Sequence, residues 1–347
     1  MSRIAVSLVV LLLAAAAATT LVLNIRSLDT PLRLTAPLRF KVAPGASFAH
    51  IAGDLGKQGV VANPRIWTLY ARFKGLAPAV KAGEYEIQPG TTPRELLTKM
   101  VNGQVLLHSF TIVDGWRVQD LLEALRHNPD IAATLSQQAD FPAQAALVMA
   151  KLGSPGTDAE GQFLPETYRF IGGTTDIELL RQAHLALVHE LDAAWTGRDP
   201  DGPLRSSYEL LIMASIVEKE SGLPQELPKI AGLYLHRLSI GMRLQADPTV
   251  IYGLGQRYDG NIHTVDLQTD GPYNTYTRVG LPPTPIALAG AAVIRATARP
   301  EKTDAIYFVA STKGDGSHVF SATLEQHNAA VAAYVAHQRK AAQESAR

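Results

Sequence analysis

Two glutamates, Glu218 and Glu220, stand at the end of a run with no charge of its own. Residues 210–217 read LLIMASIV, then come Glu218, Lys219 and Glu220, and Ser221, Gly222 and Pro224 follow as stop signals. A helix that is apolar or small on every face is buried all round. Such a helix delivers carboxylates to a partly desolvated place at the negative end of its dipole. Both conditions oppose ionisation and lift a carboxyl toward the range a general acid needs. Two residues apart on a helix means about 200° around its axis, so the two carboxylates do not share one cleft. Glu220 continues the row of Met213, Ile216 and Val217; Glu218 continues the row of Leu211, Ala214 and Ser215. Periodicity leaves open which row faces a cleft. From spacing alone, a solvated charged cap is the commoner reading of such a pair.

Composition removes several other chemistries. The 347 residues contain no cysteine, which excludes thiolate metal sites, disulfides and cysteine nucleophiles. Lys+Arg and Asp+Glu are equal at 32 each, so the basic excess a nucleic-acid binder needs is missing. The ten histidines are scattered without an H-E-x-x-H pair, and neither G-x-S-x-G nor S-x-x-K occurs. Gly253-Leu254-Gly255 lacks the third glycine of a dinucleotide loop, and there is no P-loop. No metal and no cofactor is expected.

The elements that must position the glutamates follow from periodicity. The segment 207–220 opens on Ser206 to Glu209, which have capping-box spacing. Upstream, 39–42 and 83–87 read as strands. Two helices are expected between them, one on Phe48, Ile51, Ala52 and Leu55, the other opening at Asn63-Pro64. A further helix begins at Thr92-Pro93. Residues 106–113 read as a strand, and Val118, Leu121, Leu122 and Leu125 as a helix. Residues 128–160 read as a helical excursion and 179–195 as a long amphipathic helix. Strands at 305–309 and 318–321 flank a Gly/Asp-rich connection, and a helix closes the chain at 324–342. Helices and strands mix without regular βαβ alternation, so the expected class is α+β.

Residues 4–25 are apolar but for Asn24 near the end and a few small hydroxyls. At about 1.5 Å per residue they span roughly 33 Å, enough for a bilayer core and longer than the about 7–15 residues of a signal core. An uncleaved single anchor is expected, with residues 1–3 as its tip. Arg3 on one side and Arg26 and Arg33 on the other leave its orientation open. Two folded parts follow, a small one over 39–104 and a larger one over 105–342.

Residues 213–220 (MASIVEKE) resemble the signature of the YceG-like endolytic murein transglycosylases. So, in that family's order, do 237–253 (RLSIGMRLQADPTVIYG), 273–276 (YNTY) and 280–283 (GLPP). Residues 161–168 (GQFLPETY), 318–320 (HVF) and His327-Asn328 are similar to further family segments. The likeness covers nearly the whole chain. Ser221 departs from the expected Thr conservatively, and nothing is carried over from 128–160. The strand–helix–helix–strand order of 39–104 resembles the LysM-type carbohydrate module; a plain packing domain reads equally well from the pattern.

The resemblance implies that Glu220 is catalytic. It protonates the glycosidic oxygen after N-acetylmuramic acid, then takes the proton of the sugar's own 6-hydroxyl, leaving a 1,6-anhydro end. One carboxylate suffices, where ordinary glycosidases need a pair. Supporting or sugar-binding roles fall to Asp247, Tyr273, Asn274 and Tyr276, with Gln245 and Glu218 as further candidates. A turn aspartate before proline and a packed turn are the plain alternatives for Asp247 and for 273–276. The resemblance also implies peptidoglycan glycan strands as substrate and peptidoglycan synthases of the penicillin-binding type as partners. It further implies attachment to the bacterial inner membrane, with the catalytic part in the periplasm and cuts that limit nascent strand length. A wall-binding scaffold without catalysis, and a muramidase that leaves reducing ends, are the competing readings.

Overall fold

The computed structural model describes residues 11–12, 25–135, 140–220 and 222–345. Most of the expected anchor over 4–25 lies outside the described residues. Among the described residues no helix is long and apolar enough to cross a membrane. The chain divides into two compact units. The first holds the residues up to His108 together with Arg169–Gly173; the second holds Ser109–Tyr168 and everything from Thr174 on.

In the first unit, β1 (Leu38–Val42) leads to helices α1 (Phe48–Lys57) and α2 (Pro64–Phe73). Strand β2 (Gly83–Ile87) and helix α3 (Pro93–Asn102) complete it. β1 and β2 are antiparallel, pairing Phe40 with Tyr85 and Val42 with Gly83. Both strands bury alternate residues, as a strand with one covered face must. Ser47 caps α1, and Thr92 with Glu95 forms a complete capping box on α3. Trp67 is fully buried, meets Phe48 edge-on at 4.8 Å, and donates its indole N–H to Pro93 O at 2.9 Å. That bond satisfies the one polar atom the ring carries into the core.

The second unit is mostly helical. Strands β3 (Leu107–Thr111) and β4 (Thr167–Ile171) pair with each other, and the unit boundary falls inside both. Between them lie α4 (Val118–Arg126) and α5 (Phe141–Leu152). After β4 come α6 (Asp176–Thr196), α7 (Ser207–Glu220), α8 (Leu227–Ser239) and α9 (Asp247–Leu254). The short α10 (Thr264–Gln268) and α11 (Ala291–Ala298) follow. The antiparallel pair β5 (Tyr307–Ala310) and β6 (His318–Ser321) and the helix α12 (Leu324–Ser345) end the described chain. With three two-stranded sheets among its described helices, the chain is α+β.

Helix α7 is the hub, packed against α6, α8, α9 and α11. Its first turn is tied by Glu209 N–H to Ser206 Oγ at 3.1 Å and by Arg205 N–H to the Glu209 carboxylate at 2.6 Å. Residues 210–217 are all buried. The hydroxyl among them, Ser215, donates to Ile212 O at 2.7 Å and accepts Ile286 N–H at 3.0 Å. A polar group so buried is affordable only with its partners made. Here they fasten the 286 segment to the helix.

Strand β4 was not expected from the sequence, because its residues directly follow and overlap the segment 161–168. Helix α5 accounts for the excursion read over 128–160. Its flank is organised by Asp176, whose carboxylate accepts the backbone N–H of Thr134 at 2.8 Å and of Leu135 at 2.9 Å.

Candidate active site

Glu220 is the last residue of α7 and keeps part of its surface open. Tyr234, fully enclosed on α8, donates its hydroxyl to Glu220 Oε1 at 2.5 Å. Burial pushes the Glu220 carboxyl up to about 7, and the nearby Asp247 charge pushes the same way. The Tyr234 hydrogen bond and the charges of His318 and Arg237 act in the opposite sense without cancelling the rise. Burial and the neighbouring Glu220 hold the Tyr234 phenol far above its ordinary value, so it stays a donor and is no rival proton source. A carboxyl that titrates near neutrality gives and takes a proton with little bias either way, which one group serving as acid and then base requires.

Arg237 lies one turn beyond Tyr234 on α8. Its guanidinium sits over the Tyr234 and Tyr307 rings at 5.9 and 5.7 Å. Nε donates to Ile306 O at 2.6 Å, and Nη1 donates to Leu244 O. Arg237 therefore ties α8 to two loops and faces Glu220 with a fixed positive charge.

Asp247 opens α9 with Pro248 behind it, so the carboxylate stands at a helix N-terminus. It is exposed, and Oδ1 accepts the Tyr276 hydroxyl at 2.5 Å. Burial, that hydrogen bond and the charges of Asp247 and Glu220 push the Tyr276 phenol upward. Glu220, Asp247 and Tyr276 thus gather at one site. Gln245 lies two residues ahead of Asp247, exposed, with φ of 51°, and is the one non-glycine residue in the left-handed region among those described. For an unbranched side chain this costs on the order of 1 kcal/mol, and such strain concentrates at functional positions. Its N–H donates to Thr275 O at 3.1 Å, which binds the strained turn to the 273–276 loop.

Asn274 and Tyr273 are placed differently. The Asn274 side chain is buried, and its amide donates to the carbonyls of Asp266, Leu267 and Thr269. Its Oδ1 accepts Tyr276 N–H at 2.9 Å. Asn274 shapes the loop and has no donor left for a sugar. Tyr273 packs on Tyr252 at 4.8 Å and bonds through its hydroxyl with Thr284 at 2.8 Å.

Glu218 points elsewhere, as the helical angle requires. Its Oε2 accepts Gly290 N–H at 2.9 Å, at the cap of α11. Burial, with Asp114 close by, pushes its carboxyl up. Glu218 is a tie between α7 and α11.

Sequence reasoning did not single out Tyr234, Arg237, Glu226, His318 or Glu160. Glu160 is almost fully buried, accepting Val118 N–H at 3.0 Å and the Tyr252 hydroxyl at 3.1 Å; burial pushes its carboxyl up to about 7. The available signal was position: Glu160, Arg237 and His318 begin or adjoin three of the segments that carry the family likeness.

The YceG-like family model matches residues 40–333. The chain belongs to the YceG-like family. This YceG-like protein is 29% identical over 313 residues to the endolytic murein transglycosylase of Bacillus subtilis (strain 168), covering 86% of this chain and 85% of that one. It is 28% identical over 322 residues to the endolytic murein transglycosylase of Streptococcus pneumoniae serotype 2, covering 85% of this chain and 58% of the longer relative. Among solved structures it is similar to a putative yceG-like protein from Listeria monocytogenes. The identity is 29% and the TM-score 0.50, over 84% of this chain and 98% of that one.

Proposed function

We propose that this YceG-like protein is an endolytic murein transglycosylase, a lyase acting on peptidoglycan glycan strands, with Glu220 as its acid and base. The likeness to the Bacillus subtilis enzyme over most of both chains supports the reaction class. The observation that carries the residue assignment is the Glu220 carboxyl, raised to about 7 and aimed by Tyr234.

The chemistry follows from that geometry. Protonated Glu220 gives its proton to the glycosidic oxygen after N-acetylmuramic acid as the C1–O bond breaks. The carboxylate so formed takes the proton of the same sugar's 6-hydroxyl as its oxygen bonds to C1. A 1,6-anhydro ring results and no water is added. Tyr234 holds one carboxylate oxygen throughout, leaving the other for the substrate. Asp247 and Tyr276 present an exposed acceptor and a hydroxyl beside it, suited to sugar hydroxyls or to the positive charge that develops at C1. Mass analysis of digested glycan strands tests this reading: anhydro ends on new fragments are expected, and reducing ends or intact strands overturn it.

Residues 4–25 serve, in this reading, as a single inner-membrane anchor that leaves the folded units in the periplasm. Sequencing the amino terminus of the membrane-extracted protein should find it uncleaved; a mature terminus near Ala18 would remove the anchor. The first unit, with its strand–helix–helix–strand order, is a LysM-like module that holds glycan. Peptidoglycan synthases are the partners, and cutting limits the length of nascent strands.

A further inference from the structure

Helix α2 carries an apolar face that its own unit leaves uncovered. Leu69 and Phe73, four residues apart and so on one side of the helix, are 61% and 87% exposed. Phe73 is the most exposed large apolar side chain among the described residues. Arg65 and Arg72 lie on the same side, four residues before and three after Leu69, and Lys74 follows at the end of the helix. All three cations are exposed, and none forms an ion pair among the described residues. The whole chain is neutral, yet residues 55–83 hold Lys57, Arg65, Arg72, Lys74 and Lys81 and no Asp or Glu. Leucine and phenylalanine set among arginine and lysine make a helix face suited to a membrane interface. The apolar groups enter the boundary between headgroups and acyl chains, and the cations stay at the headgroups.

The place of this face in the chain favours lipid as what covers it. The first unit begins directly behind the apolar residues 4–25, with Leu28 already buried in its core. Asp29 accepts from Arg94 Nε at 2.7 Å and from Nη2 at 3.1 Å. The same guanidinium lies over the Tyr70 ring at 4.8 Å and donates from Nη1 to the Tyr70 hydroxyl. Tyr70 adjoins Leu69 on α2. The four steps from Ile25 to Asp29 reach at most about 14 Å, so one arginine fastens α2 close to where the apolar stretch ends. We propose that the Leu69–Phe73 face of α2 rests on the anionic phospholipid surface of the membrane that residues 4–25 enter. The inference rests on the reading of those residues as an anchor. A tether this short keeps the face beside the lipid, so a weak interfacial affinity suffices to dock it. Span and face together fix how the first unit is turned on the bilayer, which one span by itself leaves free.

The chain has no cysteine, so a single introduced one is labelled without competition. Full-length protein with an environment-sensitive fluorophore on Phe73→Cys is reconstituted into vesicles of phosphatidylcholine and phosphatidylglycerol. A docked probe sits about 5–10 Å into the interface, so its emission should shift to shorter wavelength and be quenched by nitroxide-bearing lipids. Vesicles of phosphatidylcholine alone should reverse most of the shift, as should about 1 M salt, which cuts the Debye length to about 3 Å. Arg72→Glu combined with Lys74→Glu should do the same, and both positions are exposed, so the core is untouched. A probe at 73 that keeps water-like emission in the mixed vesicles overturns the proposal. A shift indifferent to lipid charge, salt and the two glutamates overturns the anionic surface as the occupant. A shift seen only with added glycan strands, and not quenched by nitroxide lipids, overturns it as well and makes α2 a sugar-binding face. A second probe, on Leu12→Cys, reports the span by itself. Quenching at 12 without quenching at 73 keeps the anchor and removes the docking. No quenching at 12 removes the anchor, and the probe at 73 still decides the docking.

Discussion

Glu220→Gln is expected to abolish release of anhydro-ended fragments while the protein folds, and to make it more stable than the wild type at pH 8. Glutamine keeps the shape of glutamate, and its amide oxygen still accepts from Tyr234, whose hydroxyl lies 2.5 Å away in the wild type. It has no acidic proton for the glycosidic oxygen and takes none from the 6-hydroxyl. General acid–base catalysis contributes about 10²–10⁴-fold, and in the proposed mechanism one group serves both steps, so the expected loss reaches the upper end or beyond. The stability gain follows from the same carboxyl. Its folded value of about 7 exceeds the unfolded 4.5, so the folded state is penalised as pH rises from about 4.5 and fully above about 7. Glutamine escapes a penalty of up to about 3 kcal/mol. Thermal melts should therefore diverge between pH 5 and pH 8, the variant melting higher at pH 8. Equal melts at both would show that Glu220 is not desolvated, and retained anhydro products would remove it from the mechanism. Glu218→Gln serves as the comparison. Its amide oxygen still accepts Gly290 N–H, so it should cost much less activity.

The second large effect is structural. Gly232→Ala on α8 should lower the melting temperature of the second unit, although alanine favours a helix over glycine by about 1 kcal/mol. A β-carbon at 232 would lie 2.1 Å from the carbonyl oxygen of Glu301 and 3.2 Å from its carbon. That carbonyl cannot rotate away as a side chain would, because Glu301 N–H donates to Pro228 O at 2.9 Å on the same helix. Overpacking costs typically about 1–3 kcal/mol, and a contact this close against backbone belongs at the top of that range. A net loss of about 2 kcal/mol should appear as a fall of roughly 4–8 °C. Gly53→Ala on α1 supplies the control, since its β-carbon would meet nothing within 4 Å. There the same substitution should stabilise by about 0.5–1 kcal/mol. If both variants melt higher than wild type, the chain around Glu301 yields readily and the close approach is not a constraint.

The helix that carries Glu218 and Glu220 was legible because its signal is local. Eight apolar or small residues in a row, with charge confined to the turns on either side, describe α7 without reference to anything else. The two-helix, two-strand order of the first unit was legible for the same reason: alternation and caps are nearest-neighbour properties. What surrounds Glu220 was not. Tyr234 is 14 residues away and reads as one more core aromatic on an amphipathic helix. Glu226 and His318, hydrogen-bonded to each other, are separated by 92 residues, and nothing in either neighbourhood marks the other. Asn274 shows the opposite difficulty. An amide beside two tyrosines suits a sugar, but whether its N–H groups face a ligand depends on where three backbone carbonyls fall. Gln245 gives no warning of its left-handed backbone, because the residues that favour that region are glycine and asparagine.

Strand β4 has a bearing on how this gene could be cut and rejoined. The five residues Arg169–Gly173 count with the first unit, though the chain on both sides of them belongs to the second. Within that unit Phe170 stacks on His108 at 5.6 Å, and a β-carbon at Gly172 would fall 2.9 Å from the Glu84 carboxylate. The first unit is therefore not a contiguous stretch of sequence. A recombination event that moved residues up to 108 into another gene would leave behind one of its pieces and deposit an open place where Phe170 had been. Shuffling the unit between proteins would then favour exchanges that carry residues 109–173 along with it, and divergence at His108 and Phe170 should proceed in step.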